Sequence, residues 1–252
     1  MSAPIIIGLS GASSSGKTTV ANFLKKLFPN SDIIHEDDFY YPDEKVPFNQ
    51  EIQDRDWDCP EAINFEDFVV VVDKLKHNIP IDKRKSIHLE KTNISNHVKT
   101  KVSISPELHD ILVGKIEHAL GDRKVFLIDG FLMFQNETLR KLMDIRLFFR
   151  TDFSTLKHRR SSREYSIDSG VWMDPPFYFE KRVWPQYYKY HHSLFVDGSD
   201  EDLIKRTGGT LNEYAKDTLG IDGFRNDDNS NLNVLLQKVV DTILNRIERE
   251  QI

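Results

Sequence analysis

Apolar positions along the chain alternate between two kinds of pattern. Short runs rich in β-branched and aromatic residues occur at Ile5-Ile6-Ile7, Ile33-Ile34, Val125-Phe126-Leu127-Ile128, Ile145 to Phe149 and Leu194-Phe195-Val196, and each reads as a strand. Between them, apolar residues three or four positions apart mark helices. These are Val20, Phe23, Leu24, Leu27 and Phe28; Phe65, Phe68, Val69, Val72 and Leu75; and Leu108, Ile111, Leu112, Ile116 and Leu120, which end at Gly121. A last helix is written in Leu232, Leu235, Leu236, Val239, Val240, Ile243, Leu244 and Ile247, with too few repeats to prefer a coiled coil. Strands alternating with helices predict an α/β fold, three layers deep, around a mostly parallel sheet of five strands. The last of these strands is expected at Leu194 to Gly198. Phe177 to His192 reads as an aromatic helix that Pro185 kinks or restarts. A polar, partly basic stretch at about 76–104 reads as a solvated hairpin or an insertion. A C-terminal extension at about 199–252 is polar until its final helix.

Composition narrows the class. The chain has 252 residues, 39% of them hydrophobic, which suffices for one α/β domain with a substantial core. The formal charge of −6 gives no overall basic field, so neither nucleic acid nor an anionic membrane is the expected partner. Cys59 is the only cysteine, which excludes an intramolecular disulfide and suits a reducing compartment. No apolar run is long enough to span a bilayer and no basic region precedes the first one. A cytoplasmic protein is expected, with a nuclear one equally compatible and a monomer slightly favoured.

The first candidate chemistry follows the first strand. Gly11-Ala12-Ser13-Ser14-Ser15-Gly16-Lys17-Thr18-Thr19 contains Gly-x-x-x-x-Gly-Lys-Thr between a strand and a helix, the context a phosphate-binding P-loop requires. Gly11 and Gly16 let the backbone turn its N–H groups inward on a polyphosphate, and the positive end of the next helix faces the same anion. Lys17 is expected to neutralise the β- and γ-phosphates of a nucleotide such as ATP, and the Thr18 hydroxyl to complete the shell of a Mg²⁺ ion.

Other candidates sit where parallel strands end. Glu36-Asp37-Asp38-Phe39-Tyr40 directly follows the second strand, and ligands of open parallel sheets bind beyond such carboxyl ends. Asp37 is the stronger functional candidate; Asp38 could equally cap a turn. The run Val125 to Asp129 delivers a carboxylate from a strand buried on both faces, the position from which P-loop proteins hold Mg²⁺. Trp57 beside Asp58, in an aperiodic loop, offers a flat face and a hydroxyl acceptor together, or Trp57 simply anchors the loop. Thr151-Asp152 opens a helix whose Lys157, His158, Arg159 and Arg160, with Arg163, precede an irregular stretch at about 163–176. Such a basic run beside a Gly- and Pro-containing loop reads as a lid over a phosphoryl group, the alternative being a solvated basic helix.

These pieces, in this order, resemble the nicotinamide riboside kinases within the uridine kinase-like P-loop kinases. The likeness runs from about Ile5 to Gly198 through Leu-Ser-Gly-Ala-Ser-Ser-Ser-Gly-Lys-Thr-Thr, Ile-His-Glu-Asp-Asp-Phe-Tyr, Trp-Asp-Cys-Pro-Glu-Ala, Ile-Asp-Gly-Phe-Leu-Met-Phe, Arg-Arg-Ser-Ser-Arg-Glu-Tyr and Trp-Met-Asp-Pro-Pro-Phe-Tyr-Phe. The resemblance implies ATP- and Mg²⁺-dependent phosphorylation of a riboside 5′-hydroxyl in NAD biosynthesis. It makes Asp37 the base that accepts the hydroxyl proton, close to Mg²⁺, with Asp129 the metal-side acid. Trp57 and Tyr165 would sandwich the nicotinamide ring, Asp58 and Arg160 would hold the ribose hydroxyls, and Arg159 and Arg163 would contact the triphosphate. Asp38, Phe39, Tyr40 and Ser166 would border the riboside, with adenine contacts near Ser199 to Asp202. Two other readings compete. One is a kinase for uridine, cytidine or pantothenate. The other is a non-catalytic nucleotide-binding module, although the guanine-reading Asn/Thr-Lys-x-Asp motif of GTPase switches is absent.

Overall fold

The computed structural model describes residues 2–81, 103–161, 165–167, 170–227 and 230–250, with backbone alone for 165–167 and 170–172. Strand β1 (Ile5–Gly11), buried at every residue, runs into the P-loop, and α1 (Lys17–Leu27) leaves it. Next, β2 (Ser31–His35) passes directly into a 3₁₀ turn, Glu36–Phe39. The Pro- and Asp-rich loop then folds back on a short antiparallel ribbon, β3 (Phe48–Asn49) with β4 (Asp54–Arg55). Helix α2 (Phe65–Lys76) starts where the Asn64 side chain accepts from the Asp67 N–H, and α3 (Pro106–Leu120) where Ser105 accepts from Leu108. The remaining elements are β5 (Val125–Asp129), α4 (Glu137–Leu142), β6 (Ile145–Arg150) and α5 (Phe153–Ser161). They are followed by the antiparallel ribbon β7 (Tyr165–Ile167) with β8 (Gly170–Trp172), then α6 (Trp184–His191), α7 (Glu201–Thr207), β9 (Ile221–Arg225) and α8 (Leu232–Glu250). Pro185 falls in the first turn of α6, which continues without a break from a π turn at Phe179–Val183 through αR backbone at Val183, so its missing N–H is accommodated where the helix changes type.

The main sheet has five strands in the order β2-β5-β1-β6-β9, each neighbouring pair parallel. Alternate β1 side chains enter opposite layers. Ile5, Ile7 and Leu9 pack with Leu112 and Ile116 of α3, with α1, and with Leu236, Val239, Val240 and Ile243 of α8. Ile6 packs with Phe68 of α2, Leu139 of α4 and Trp184 of α6. Each fully buried aliphatic side chain stabilises by about 1.5–3 kcal/mol, so α8 is a wall of the core rather than an appendage. From β1 the chain goes one way to β2 and returns past it to β6. The carboxyl ends of β1, β2 and β5 therefore open onto one crevice.

The fifth strand is not where it was expected. Leu194 ends a 3₁₀ turn, Phe195 makes one isolated bridge to Leu211, and Val196 is 60% exposed. The sheet is completed instead by β9, within the stretch that showed no pattern. An edge strand needs few inward apolar residues, and Ile221 on one face and Phe224 on the other supply them; Asp222, on the Phe224 face, pairs with Arg246 of α8. Among the described residues no helix is long and apolar enough to cross a membrane.

Candidate active site

The P-loop adopts its shape through left-handed backbone at three positions. Gly11 has φ 135°, Ser14 φ 67° and Gly16 φ 91°. A Cβ on Gly11 would lie 2.0 Å from the Phe149 carbonyl oxygen, so no other residue fits there. The Ser15 N–H closes a turn on the Ala12 carbonyl at 3.1 Å. Lys17, the first residue of α1, is buried and reaches back over the loop, its Nζ donating to the Ala12 carbonyl at 3.3 Å. Thr18 and Thr19 follow in a first turn that holds no acidic side chain, which leaves the positive end of the helix available to an anion. The buried hydroxyls of Ser10, Ser14 and Ser15 have no hydrogen-bond partner among the described residues.

Register sets the acids. Leu9 and His35 both lie level with Asp129, so β2 and β5 present His35 and Asp129 side by side, with Nδ1 3.1 Å from Oδ2. Burial alone would raise the Asp129 pKa; the His35 hydrogen bond and the Lys17 charge, helped by the Thr18 hydroxyl, bring it below the ordinary value. Burial would conversely lower the His35 pKa, and Asp129, with Asp38 and Asp37, raises it. In the turn after β2 the acids split. Glu36 is fully buried and accepts from the N–H groups of Phe131 and Leu132, yet desolvation pushes its pKa up to about 8. Asp38 is buried and pushed to about 7, again chiefly by desolvation. Asp37 is exposed on the rim. The Phe39 side chain stacks on Phe68 at 4.4 Å and is fully buried, which leaves only its backbone for a substrate.

Across the crevice, Arg160 of α5 is the organising side chain. Its Nε and Nη2 fork onto Asp174 at 2.6 and 3.1 Å, its Nη1 donates to the Ser13 hydroxyl at 2.8 Å, and both Nη atoms approach Asp58 at 3.4–3.5 Å. One buried guanidinium thus ties the P-loop to the Trp57-Asp58 loop. Burial raises the Asp58 pKa and Arg160 opposes the rise. Trp57 is half-buried, donates its backbone N–H to Tyr178 Oη at 3.1 Å and meets Tyr40 edge-on at 5.4 Å. A small cleft lies among Ala12, Ser13, Asp58, Leu132 and Tyr187. Arg159 lies half-buried in the last turn of α5. Tyr165 and Ser166 have their backbones on β7; their side chains, and Arg163 altogether, lie outside the described residues.

Asp174 and Asn226 are residues that the sequence reading did not single out. Asp174 belongs to the Trp-Met-Asp-Pro-Pro-Phe-Tyr-Phe motif, which by itself gives it no role. Asn226, past the end of β9, donates from its side-chain amide to the Ser15 carbonyl at 2.8 Å; the rule that ligands lie beyond parallel strand ends would have found it once β9 was known. Ser199 to Asp202, by contrast, serve α7: Asp200 accepts from the Leu203 N–H, and Glu201 accepts from Trp184 Nε1.

The oxygen donors suit Mg²⁺. Asp129 Oδ1 is buried without a hydrogen-bond partner among the described residues, and the Thr18 hydroxyl lies beside this carboxylate. Those residues show no cluster of three or more His, Cys, Asp or Glu that could cage an ion alone, and Mg²⁺ in phosphoryl-transfer sites takes few protein ligands and completes its shell with phosphate and water.

Comparison with known proteins agrees with this geometry. The model of the phosphoribulokinase/uridine kinase family matches residues 6–166. The nicotinamide riboside kinase of Saccharomyces cerevisiae is 37% identical over 84% of this chain and 88% of its own. That of Schizosaccharomyces pombe is 39% identical over 77% and 82%, and that of Eremothecium gossypii 32% over 95% and 92%. A phosphate loop, strand-end acids and relatives of this extent place the chain in the nicotinamide riboside kinase group of the phosphoribulokinase/uridine kinase family.

Proposed function

We propose that the protein transfers the γ-phosphoryl group of ATP to the ribose 5′-hydroxyl of nicotinamide riboside, and of nicotinic acid riboside, giving the mononucleotide used to make NAD. The observation that carries the substrate reading is the Ser13–Arg160–Asp58 linkage. It sets an acceptor for sugar hydroxyls one guanidinium away from the phosphate loop, the spacing a riboside needs when its 5′-hydroxyl must meet a terminal phosphate. Trp57 and Tyr40 border the same place with aromatic surface for the base.

In this reading the P-loop N–H groups, Lys17 and the end of α1 hold the polyphosphate. Thr18, Asp129 and Asp37 would hold Mg²⁺, which when bound neutralises charge on the phosphates. His35 fixes Asp129 Oδ2 and so leaves Oδ1 for the ion. Asp37, exposed on the rim, accepts the proton of the attacking hydroxyl. Asp58 and Arg160 orient the ribose, and Arg159 with Arg163 covers the transferring group. Positioning and charge neutralisation supply most of the acceleration, because the transition state of phosphoryl transfer is loose. The lone, buried Cys59 fits a cytoplasmic enzyme, working as a single-domain monomer.

The test is a side-by-side assay of nicotinamide riboside, nicotinic acid riboside, uridine, cytidine and pantothenate with ATP and Mg²⁺. The highest kcat/KM is expected for the two pyridine ribosides. A higher value for uridine, cytidine or pantothenate would move the protein to a neighbouring specificity, and no turnover of any of them would remove the kinase reading.

A further inference from the structure

The contact between Asn226 and the P-loop spans 211 residues of sequence. Asn226 is fixed at the carboxyl edge of the sheet, because its backbone N–H donates to the Arg150 carbonyl at 2.9 Å, one step past the last β6–β9 pair. The next residue braces it. Asp227 accepts from the Thr151 hydroxyl at 2.8 Å and from Arg225 Nε at 2.5 Å. From this mount the Asn226 side chain reaches the Ser15 carbonyl at 2.8 Å, and only the NH₂ of an amide can face a carbonyl oxygen.

That carbonyl belongs to the peptide joining Ser15 to Gly16. No cis peptide occurs among the described residues, and in a trans peptide the C=O and the N–H point in opposite directions. Holding the Ser15 oxygen on one side therefore turns the Gly16 N–H to the other. Around this bond φ is 67° at Ser14, one residue before it, and 91° at Gly16, a backbone that tertiary contacts must hold in place. A Cβ on Gly16 would stand 2.2 Å from the Asn226 amide nitrogen, so glycine is required here for the anchor as well as for the φ angle.

We propose that Asn226 is a positioning residue that locks the Ser15–Gly16 peptide with its N–H turned into the anion cradle. Without the lock, rotation of this peptide plane swings a carbonyl dipole toward the phosphates, replacing attraction with repulsion. The proposal rests on the reading that the P-loop holds the ATP polyphosphate and is independent of which riboside is phosphorylated.

Calorimetric titration of the full chain with ATP, and separately with inorganic tripolyphosphate, both with Mg²⁺, tests it in Asn226→Ala and Asn226→Asp. Loss of one net hydrogen bond corresponds to about 3- to 10-fold weaker binding, expected equally for both ligands. The riboside KM and the thermal midpoint should stay near those of the wild type. Asn226→Asp keeps the shape but has no donor, so it should weaken binding at least as much; it also carries the test if Asn226→Ala does not fold. Weakened ATP binding with unchanged tripolyphosphate binding overturns the proposal, since Asn226 would then contact base or sugar. Unchanged binding of both overturns it too, as does a riboside KM that rises in step with the ATP Kd. Failure of the wild type to bind either ligand would instead remove the underlying nucleotide reading.

Discussion

Two tracts of this chain share one local spelling, apolar residues leading into Asp-Gly, and do unrelated things. Val125 to Gly130 is a central strand whose final carboxylate, Asp129, is buried against His35 beside the P-loop. Leu194 to Gly198 is no strand of the sheet, and its Asp197 lies exposed in solvent. What separates them is the neighbours, not the letters. β5 has partners on both sides and helices on both faces, so every residue from Val125 to Asp129 is buried. In the second tract Val196 points outward and Phe195 reaches only one bridge. An Asp at a strand tip acquires chemistry from the groups the sheet brings beside it.

The sharpest test of that contrast is at the acids themselves. Asp37→Asn should cost about 10²- to 10⁴-fold in kcat if it is the base proposed above, with little loss of stability because the residue is exposed. Near-normal turnover would take Asp37 out of the role of base. Asp129→Asn should cost about 10²- to 10³-fold, the usual scale for removing one electrostatic group from a reacting site. Asp197→Asn should leave turnover unchanged. Comparable losses at Asp129 and Asp197 would erase the distinction drawn here.

A step down in size, the same contrast can be read as stability. Ile221 is fully buried in β9, and Ile221→Ala should destabilise by about 2–4 kcal/mol in chemical unfolding, from lost apolar burial and the cavity left behind. Val196→Ala, at a site 60% exposed, should change stability by no more than about 0.5 kcal/mol. The reverse order would mean that Leu194 to Gly198 does carry the sheet edge.

The unequal legibility of the chain has the same cause. The strands β1, β5 and β6 and the helices α2, α3 and α8 announce themselves, because burial demands continuous apolar runs or a helical stripe. So does the P-loop, whose chemistry is local. β9 is Ile-Asp-Gly-Phe-Arg, an edge strand with two inward apolar residues and an interior glycine, and weak strand propensity hides it. In the site, Asp37, Asp58, Asp129 and Arg160 come from motifs that can be read, whereas Asp174 and Asn226 are defined by partners distant in sequence. Asp174 meets Arg160, and Asn226 meets a carbonyl 211 residues away. Nothing in the immediate surroundings of Asn226 marks it, and the motif that holds Asp174 does not reveal its partner. The split between Asp37 and Asp38 was equally hidden, since adjacent acids in a 3₁₀ turn necessarily point apart and only the packing decides which is buried.

The smallest expected effect concerns pH. The central sheet edge resists charge, with burial pushing Glu36 from 4.5 up to about 8 and Asp38 from 3.8 up to about 7, so that the neutral forms are favoured. Acids of the C-terminal region instead cap helices or pair in partly exposed places, as Asp200 does at α7 and Asp222 with Arg246. For a carboxyl whose folded-state pKa is raised, the folded protein holds the proton more tightly than the unfolded chain. Its stabilising share is therefore complete below about pH 4.5 and declines as pH climbs through about 8. Glu36→Gln keeps a carbonyl oxygen for the Phe131 and Leu132 N–H groups and removes the charge. At pH 9 the ligand-free variant should be more stable than wild type, with the difference shrinking toward zero near pH 4.5, where both folded-state side chains are neutral. Thermal unfolding across that range measures it. A destabilised variant at pH 9, or a difference that grows as pH falls, would mean that Glu36 is held ionised and that burial does not keep this edge neutral.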